Sequence, residues 1–315
     1  MKTPFRLGAY LLGLAVVFGG AFSAGGAIGA TRPAPADIGH PAHVNPSQAE
    51  QKTEHLPGGL QVSQDGYTLN PELTTVTPGE QAEFRFTVNG PDGRAVTGYE
   101  TEHDKKLHLI VVSRDATAFQ HVHPELSAEG VWSVPLTLPE AGAYRVFADF
   151  VPHGGEGLTL GAELYAPGDY TPRPLPAPSR TATVDGYTIR LDGALTPGTV
   201  SRLTAEISKN GEPVTDLQPY LEAYGHLVAL RVGDLAYLHV HPDGVPGDGV
   251  TPAGPGITFY AEVPSRGDYR LFLDFRHKGA VHTAAFTVRA EQPAAAPTAT
   301  ADHGSGHSAS NQARS

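Results

Sequence analysis

The sequence contains one module twice, and this duplication limits the folds that the chain can adopt. Residues 93–124 align without a gap with residues 211–242, and ten of the 32 aligned positions are identical. The match continues downstream, where GAYRVFADF at 142–150 corresponds to GDYRLFLDF at 267–275. A repeat carried by two such segments indicates two domains of one fold rather than one larger domain.

Each copy has the pattern of an all-β domain. Short runs of β-branched and aromatic residues alternate with turn residues, as where AEFRFTVN is followed by Gly-Pro-Asp-Gly at 90–93. In both copies a Gly stands two positions before a Tyr at a strand start, at Tyr144 and Tyr269, which resembles the tyrosine corner of immunoglobulin-like sandwiches. We therefore predict two tandem β-sandwich domains, immunoglobulin-like or cupredoxin-like, at 60–165 and 181–289.

The segment 1–31 has the pattern of a targeting sequence. Lys2 and Arg6 form a short positive region, and no charged residue occurs from Leu7 to Thr31. This stretch is long enough for a helix to cross the roughly 30 Å of hydrocarbon in a bilayer. Small residues near its end also fit a cleaved signal. We favour an uncleaved membrane anchor, and both interpretations place the later residues outside the cytoplasm.

Three further segments have the composition of linkers. They are rich in proline or in small polar residues and show no sustained hydrophobic period. We assign a disordered Pro-rich linker to 32–59, a Pro-rich interdomain linker to 166–180 and a disordered tail to 290–315.

The composition narrows the possible chemistry. The chain has no Cys, its only Met is Met1, and it has 15 His. Histidine is therefore the main candidate ligand for a borderline metal ion such as Cu(II) or Zn(II). The net charge of −11 argues against nucleic acid as a partner, because phosphate binding requires clustered Lys and Arg.

The His-x-His-Pro motif of the first copy is a candidate site. If the chain forms a hairpin that turns at Asp115-Ala116, His108 lies directly opposite His123. His121 is two residues from His123 and points to the same face of the strand. All three imidazoles then converge on one patch, which is a suitable arrangement for a divalent metal ion.

The second copy gives the same expectation. A turn at Gly233-Asp234 places His226 opposite His241 by the same count of residues. We therefore predict one three-histidine metal site in each domain. The predicted ligands are His108, His121, His123, His226, His239 and His241.

Other residues near these motifs have open interpretations. The auxiliary ligand candidates are Asp149, His153, Asp274 and His277. For the two aspartates we favour an alternative, an ion pair with Arg145 or Arg270 on the same strand. The histidines of the motif also have an alternative interpretation, as half-buried strand-end residues without a ligand. We expect His103 to lie on the surface, because Leu221 is its equivalent in the second copy.

Two segments carry a family resemblance. HLIVVSRDATAFQHVHPELSAEGVWSVPLTLPEAGAYRVFADF and YGHLVALRVGDLAYLHVHPDG resemble segments of bacterial exported proteins with one N-terminal membrane segment. Their modules are similar to YtkA-like domains of the immunoglobulin or cupredoxin type, some of which are associated with heavy-metal or copper handling. The resemblance covers roughly residues 60–290 and implies the same six histidines as site positions. Because this chain lacks the Cys of blue-copper proteins, electron transfer of that type is not implied.

These observations lead to two hypotheses about function. The first is a membrane-anchored extracytoplasmic protein that buffers or delivers copper or zinc through a histidine cluster in each domain. The alternative is a non-catalytic structural or interaction module displayed on the cell surface, with structural histidines. No general base or nucleophile stands out, so we do not predict an enzyme. The expected partners are the membrane, through the N-terminal helix, and a metal ion.

Overall fold

A computed structural model describes residues 56–238 and 240–291. These residues form β-strands and connecting turns and include no α-helix. No helix long and apolar enough to cross a membrane is therefore present in this part of the chain. The predicted anchor or signal, residues 32–55 of the first linker, nearly all of the tail and His239 lie outside the described residues.

The first domain has nine strands. They are β1 (Ser63–Gln64), β2 (Tyr67–Pro71), β3 (Gln81–Asn89), β4 (His108–Ser113), β5 (Phe119–Val122), β6 (Glu125–Leu126), β7 (Val131–Thr137), β8 (Gly142–Phe150) and β9 (Leu158–Ala166). In β3 the buried residues Phe84, Phe86 and Val88 alternate with more exposed ones, because successive side chains of a strand point to opposite faces. In β4 and β8 the buried residues are nearly continuous, so both faces of these strands are covered.

The second domain repeats this plan. Its strands are β10 (Thr181–Val184), β11 (Tyr187–Asp192), β12 (Val200–Lys209), β13 (Glu212–Pro213), β14 (Gly225–Arg231), β15 (Tyr237–Leu238), β16 (Val240–Pro242), β17 (Gly256–Glu262), β18 (Gly267–His277) and β19 (Ala280–Ala290). β14 and β18 correspond to β4 and β8 and are also buried along nearly their whole length.

Each domain is a sandwich of two antiparallel sheets with the strand order of the immunoglobulin fold. The sheets of the first domain have the orders β1-β2-β3-β7-β6 and β5-β4-β8-β9. Those of the second have the orders β10-β11-β12-β17-β16, with β13 paired to β12, and β15-β14-β18-β19. These are the A-B-E-D and C′-C-F-G arrangements of immunoglobulin-like domains. The prediction of an all-β fold with two tandem sandwiches is confirmed.

The tyrosine corners predicted from the sequence are present in both domains. Tyr144 donates a hydrogen bond from its hydroxyl to the backbone carbonyl of Glu140, over 2.9 Å. Tyr269 donates in the same way to the carbonyl of Ser265, over 2.8 Å. Both rings are buried, so each corner ties the start of strand F to the preceding turn.

The two domains pack against each other through the outer faces of their C′-C-F-G sheets. Phe119 of β5 stacks on Phe272 of β18, with ring centroids 4.1 Å apart and an interplanar angle of 8°. Tyr237 of the second domain corresponds to Phe119, and Phe147 of the first corresponds to Phe272. These two rings also meet, with centroids 5.6 Å apart. The contact is therefore nearly reciprocal. The buried apolar residues of this interface are Ile110, Val112, Ala116, Phe147, Val228, Leu230, Leu235 and Phe272.

Residues just before the first domain take part in this contact. The backbone carbonyl of Gly58 accepts a hydrogen bond from the Tyr237 amide, over 2.9 Å. Gly59 has a φ of 73°, and a Cβ at this position would lie 2.3 Å from the Phe147 ring. Its carbonyl accepts a hydrogen bond of 2.9 Å from Arg145 Nε. Only glycine fits between the interface rings here, which places this end of the first linker inside the folded unit.

Candidate metal centre

The hairpin predicted for the first copy is confirmed. Ile110 of β4 pairs with His121 of β5, and this register places His108 opposite His123. The turn is held by the Asp115 carboxylate, which accepts hydrogen bonds from backbone and hydroxyl groups of the turn itself. The local sequence of the hairpin therefore determines which histidines face each other.

Three imidazoles converge at the open end of this hairpin, and we call them the histidine trio: His108, His121 and His123. The ring centroid of His108 lies 5.3 Å from that of His121 and 5.1 Å from that of His123. His121 and His123 are 4.8 Å apart by the same measure. One ring nitrogen from each residue lies within 4.8 Å of the other two. All three residues are half-buried.

The hydrogen bonds of two trio members fix where their protons lie. His108 Nε2 is 3.2 Å from the carbonyl oxygen of Glu102, which can only accept, so this nitrogen carries the proton. His121 Nδ1 is 2.9 Å from the Asp274 carboxylate and carries a proton for the same reason. The remaining nitrogens, His108 Nδ1 and His121 Nε2, are 3.0 Å apart. In the neutral rings both hold lone pairs, an unfavourable approach that a metal ion between them would relieve.

His123 brings a third imidazole to the same place. Its Nε2 atom is buried and has no hydrogen-bond partner among the described residues. A buried polar atom without a partner costs free energy and is uncommon in folded proteins. An imidazole with a buried, unpartnered nitrogen next to two facing imidazoles fits the ligand set of a divalent ion.

Burial keeps His108 and His123 in the neutral form that metal binding requires. Burial, followed by repulsion from His121, lowers the pKa of His108 to about 3. The same two causes, in the same order, lower the pKa of His123 to about 3. At neutral pH neither ring needs to lose a proton before it binds a metal ion.

The donor set fits Zn(II) or Cu(II). Three neutral imidazoles with an open position are a common arrangement for either ion. A tetrahedral zinc ion requires nitrogen atoms about 3.3 Å apart. The His108–His121 pair already meets this spacing, at 3.0 Å. A ring nitrogen of His123 lies within 4.8 Å of both.

The second domain contributes groups to the same place. Asp274 of β18 accepts the hydrogen bond from His121, and the two side chains are 4% and 5% exposed. The His226 ring lies 6.3 Å from that of His121, and burial lowers the pKa of His226 to about 4. His226 Nε2 lies 2.9 Å from the carbonyl of Tyr220. In the other copy the equivalent contact, between His108 Nε2 and the carbonyl of Glu102, is 3.2 Å long.

In the second copy the pairing predicted for His226 and His241 is wrong. Leu238 pairs with Ala229 in the expected register. From Val240 onward the chain joins the other sheet of its domain, where His241 pairs with Tyr260 and is exposed. His226 lies instead beside the trio of the first domain. His239 lies outside the described residues.

The auxiliary candidates separate into different environments. Asp274 joins the trio, as described above. Asp149 accepts a hydrogen bond from Thr159 Oγ1, over 2.8 Å. His153 is exposed and donates from Nδ1 to Glu100. His277 is buried in the second domain, where Nδ1 accepts from the Tyr187 hydroxyl and Nε2 contacts Asp216. His153 and His277 are therefore not part of the trio.

The ion pair that we favoured for the second aspartate is wrong. Asp274 accepts hydrogen bonds from His121 and Thr283, while Arg270 donates to the carbonyl of Ala116 and to Thr287. In the first domain Arg145 donates to the Gly59 carbonyl and to Glu163. Both arginines thus bind groups that lie far away in the sequence.

His103, which we expected on the surface, is half-buried. Its ring centroid lies 5.2 Å from that of His226. It helps to line an open cavity of about 270 Å³ beside the trio. Residues of both domains line this cavity, including His108, His121, Asp149, His226 and His241. A positive φ of 49° at His103 marks the turn that brings it there, and the sequence carries no clear signal for this turn.

Fold and site together define a tandem immunoglobulin-like protein with a histidine cluster at the junction of its domains. The chain belongs to the family described as "Domain of unknown function (DUF8832)", whose model matches residues 61–166 and 182–292. Each domain thus matches the family model once. No curated protein matches the chain at a significant level.

Solved structures with detectable likeness are remote. The chain is 16% identical to the Escherichia coli adhesin FdeC, covering 72% of this chain and 65% of that one, with a TM-score of 0.25. Salmonella alpha-2-macroglobulin is 13% identical, with 74% of this chain and 15% of that one covered and a TM-score of 0.24. The Yersinia pseudotuberculosis adhesin InvE is 12% identical, with 72% of this chain and 60% of that one covered and a TM-score of 0.22. The chain spans less than two thirds of each, and the strand order and tyrosine corners, rather than these scores, identify the fold.

Proposed function

We propose that the chain is a non-catalytic structural or interaction module, displayed outside the cytoplasm, whose two immunoglobulin-like domains act as one rigid unit. One observation carries this proposal: the outer faces of both C′-C-F-G sheets are buried against each other. At this contact Phe147 is 0% and Phe272 is 2% exposed. Burial of one such ring contributes about 1.5–3 kcal/mol, so separation of the domains is strongly disfavoured.

Differential scanning calorimetry of the full chain tests the rigid unit. We expect both domains to unfold in one transition, because each loses the cover of its outer sheet face when the other unfolds. Phe272→Glu places a charge in the interface and should split this transition into two. Two independent transitions in the unaltered chain would contradict the proposal.

A second candidate function is the binding of Cu(II) or Zn(II), for buffering or delivery, and a specific observation favours it. His108 Nδ1 and His121 Nε2 face each other at 3.0 Å, and the buried His123 Nε2 has no partner in the part of the chain that the structure describes. A metal ion resolves both features at once, because it replaces lone-pair repulsion with coordination and satisfies the orphaned nitrogen. This candidate places one ion at the domain junction rather than one in each domain.

Calorimetric titration of the full chain with Zn(II) and Cu(II) tests this candidate. A variant with His108, His121 and His123 replaced by Ala should lose the tight binding event. The control is His153→Ala, which removes an exposed histidine outside the trio. Equal binding by the unaltered chain and the triple variant would exclude the trio as the site.

A further inference from the structure

The most informative contact of the trio crosses from one domain to the other. His121 belongs to the first domain, and the carboxylate that binds its Nδ1 belongs to Asp274 of the second. The two residues are 153 positions apart in the sequence and meet only because the domains are packed together. Thr283 of the neighbouring strand β19 donates a hydrogen bond to the other carboxylate oxygen of Asp274. This second bond fixes the carboxylate in the orientation that meets the imidazole.

A carboxylate that binds one nitrogen of an imidazole determines what the other nitrogen can do. It holds the proton on Nδ1, so the lone pair is left on Nε2, and it raises the basicity of that nitrogen. In His121 the nitrogen left free in this way is the one that faces His108 Nδ1. The second domain thus selects the tautomer in which His121 presents a ligand atom to the trio.

We infer that Asp274 is a positioning residue of an interdomain metal site, so that tight metal binding requires the two domains to be docked. The inference rests on the metal-binding candidate proposed above. Its consequence is a coupling between ion binding and docking: whatever the docked state adds to metal affinity, the bound ion adds to the stability of docking.

The duplication provides a matched control for this inference. Asp149 is the equivalent of Asp274, and it accepts a hydrogen bond from Thr159 as Asp274 does from Thr283. The variants Thr283→Val and Thr159→Val therefore remove the same hydroxyl from equivalent aspartates. Only the first of them loosens the carboxylate that holds His121.

The experiment measures Zn(II) affinity of the full chain and of Asp274→Asn, which keeps the shape of the side chain but removes its charge. Loss of a carboxylate behind a ligating histidine lowers metal affinity by about 10–100-fold, and we expect a loss in this range. Asp216→Asn serves as the control, since it removes the carboxylate that binds His277 in the same domain. We expect this control to bind Zn(II) like the unaltered chain.

Nitrogen-15 spectra of His121 supply a readout that a merely structural role would not change. In the unaltered chain we expect the proton on Nδ1 and, after addition of Zn(II), a metal-bound Nε2. In Asp274→Asn this tautomer preference should weaken. If Asp274→Asn does not fold, Thr283→Val should bind Zn(II) more weakly than Thr159→Val.

The outcomes separate the two proposals. If the unaltered chain binds Zn(II) through the trio and Asp274→Asn binds it equally well, with the same His121 tautomer, the positioning role is overturned and the metal site stands. If the unaltered chain binds no Zn(II), the metal site and this inference both fail. Equal binding by Thr283→Val and Thr159→Val also counts against the positioning role.

Discussion

The two copies of the His-x-His-Pro motif share their sequence but not their structure. In the first copy the strand stays paired with β4 through Val122, and both of its motif histidines reach the trio. In the second copy the same strand ends at Leu238, and the chain crosses at Val240 to pair with β17. The crossing to the other sheet thus comes earlier in the second copy, and His241 pairs with Tyr260 instead of lying opposite His226.

The hairpin registers of the two copies are equivalent, so register does not explain the difference. The difference is the residue at which the chain leaves the C′-C-F-G sheet and joins the other sheet as strand D. In the first copy strand D is the short pair Glu125–Leu126, whereas in the second it covers Val240–Pro242. Among the described residues the duplicated motif therefore gives one three-histidine cluster, and the second domain places Asp274 and His226 beside it.

The largest effect is expected from the interface that the copies share. Phe272→Ala removes a buried ring that stacks on Phe119 and should lower the free energy of unfolding by about 3–5 kcal/mol. The equivalent change Phe147→Ala should cost a similar amount, because the contact is nearly reciprocal. Urea denaturation of the two variants measures both values. A cost below about 1 kcal/mol for either would show that the interface is not formed in solution.

The second prediction contrasts the motifs directly. His123→Ala should weaken Zn(II) binding at least about 100-fold, which corresponds to about 2.7 kcal/mol, because it removes one of three ligands. The equivalent change His241→Ala should cost less than about tenfold, because this residue pairs with Tyr260 and only lines the cavity beside the trio. Competition titration with a chelator measures both. Equal losses in the two variants would restore a two-site arrangement.

Acid should act on equivalent histidines over different ranges of pH. Burial lowers the pKa of His108 to about 3 and that of His226 to about 4, whereas in the unfolded chain both titrate near 6.5. The unfolded state therefore binds protons first, and stability falls as the pH drops below about 6.5. Each residue lowers the free energy of unfolding by about 1.4 kcal/mol for each pH unit of acidification. This loss stops near pH 4 for His226 and near pH 3 for His108, where the folded state also binds the proton.

Unfolding free energies of the metal-free chain between neutral pH and pH 4 test this. His226→Asn should make the decline shallower by the slope of one residue, and His108→Asn should do the same. A decline with the unaltered slope in both variants would contradict the burial of these imidazoles.

The smallest effect concerns the unpartnered nitrogen. His123→Leu removes a buried ring nitrogen that has no hydrogen bond within the described ranges and should raise the stability of the metal-free chain by about 1 kcal/mol. His241→Leu, at the exposed equivalent position, should give no gain. Thermal melts in a chelator compare the two variants. Destabilisation by His123→Leu would mean that Nε2 has a partner in the metal-free protein.

The sequence predicted the fold and half of the site for local reasons. Turn residues and strand alternation gave the hairpin register, and this register brings His108, His121 and His123 together. The pairing of His226 with His241 was wrong because the point at which a strand changes sheets depends on its pairing with β17, which lies beyond a long loop. Asp274 was assigned to the wrong partner because its contact with His121 exists only after two separate domains dock.

The metal stoichiometry of the full chain is the most direct test of a single cluster at the domain junction. Native mass spectrometry with limiting Zn(II) should show one tightly held ion per chain. That ion should be lost in His123→Ala and retained in His241→Ala. Two equivalent ions per chain would contradict the account in favour of one site in each domain, and no bound ion would leave the module with a structural or interaction role alone.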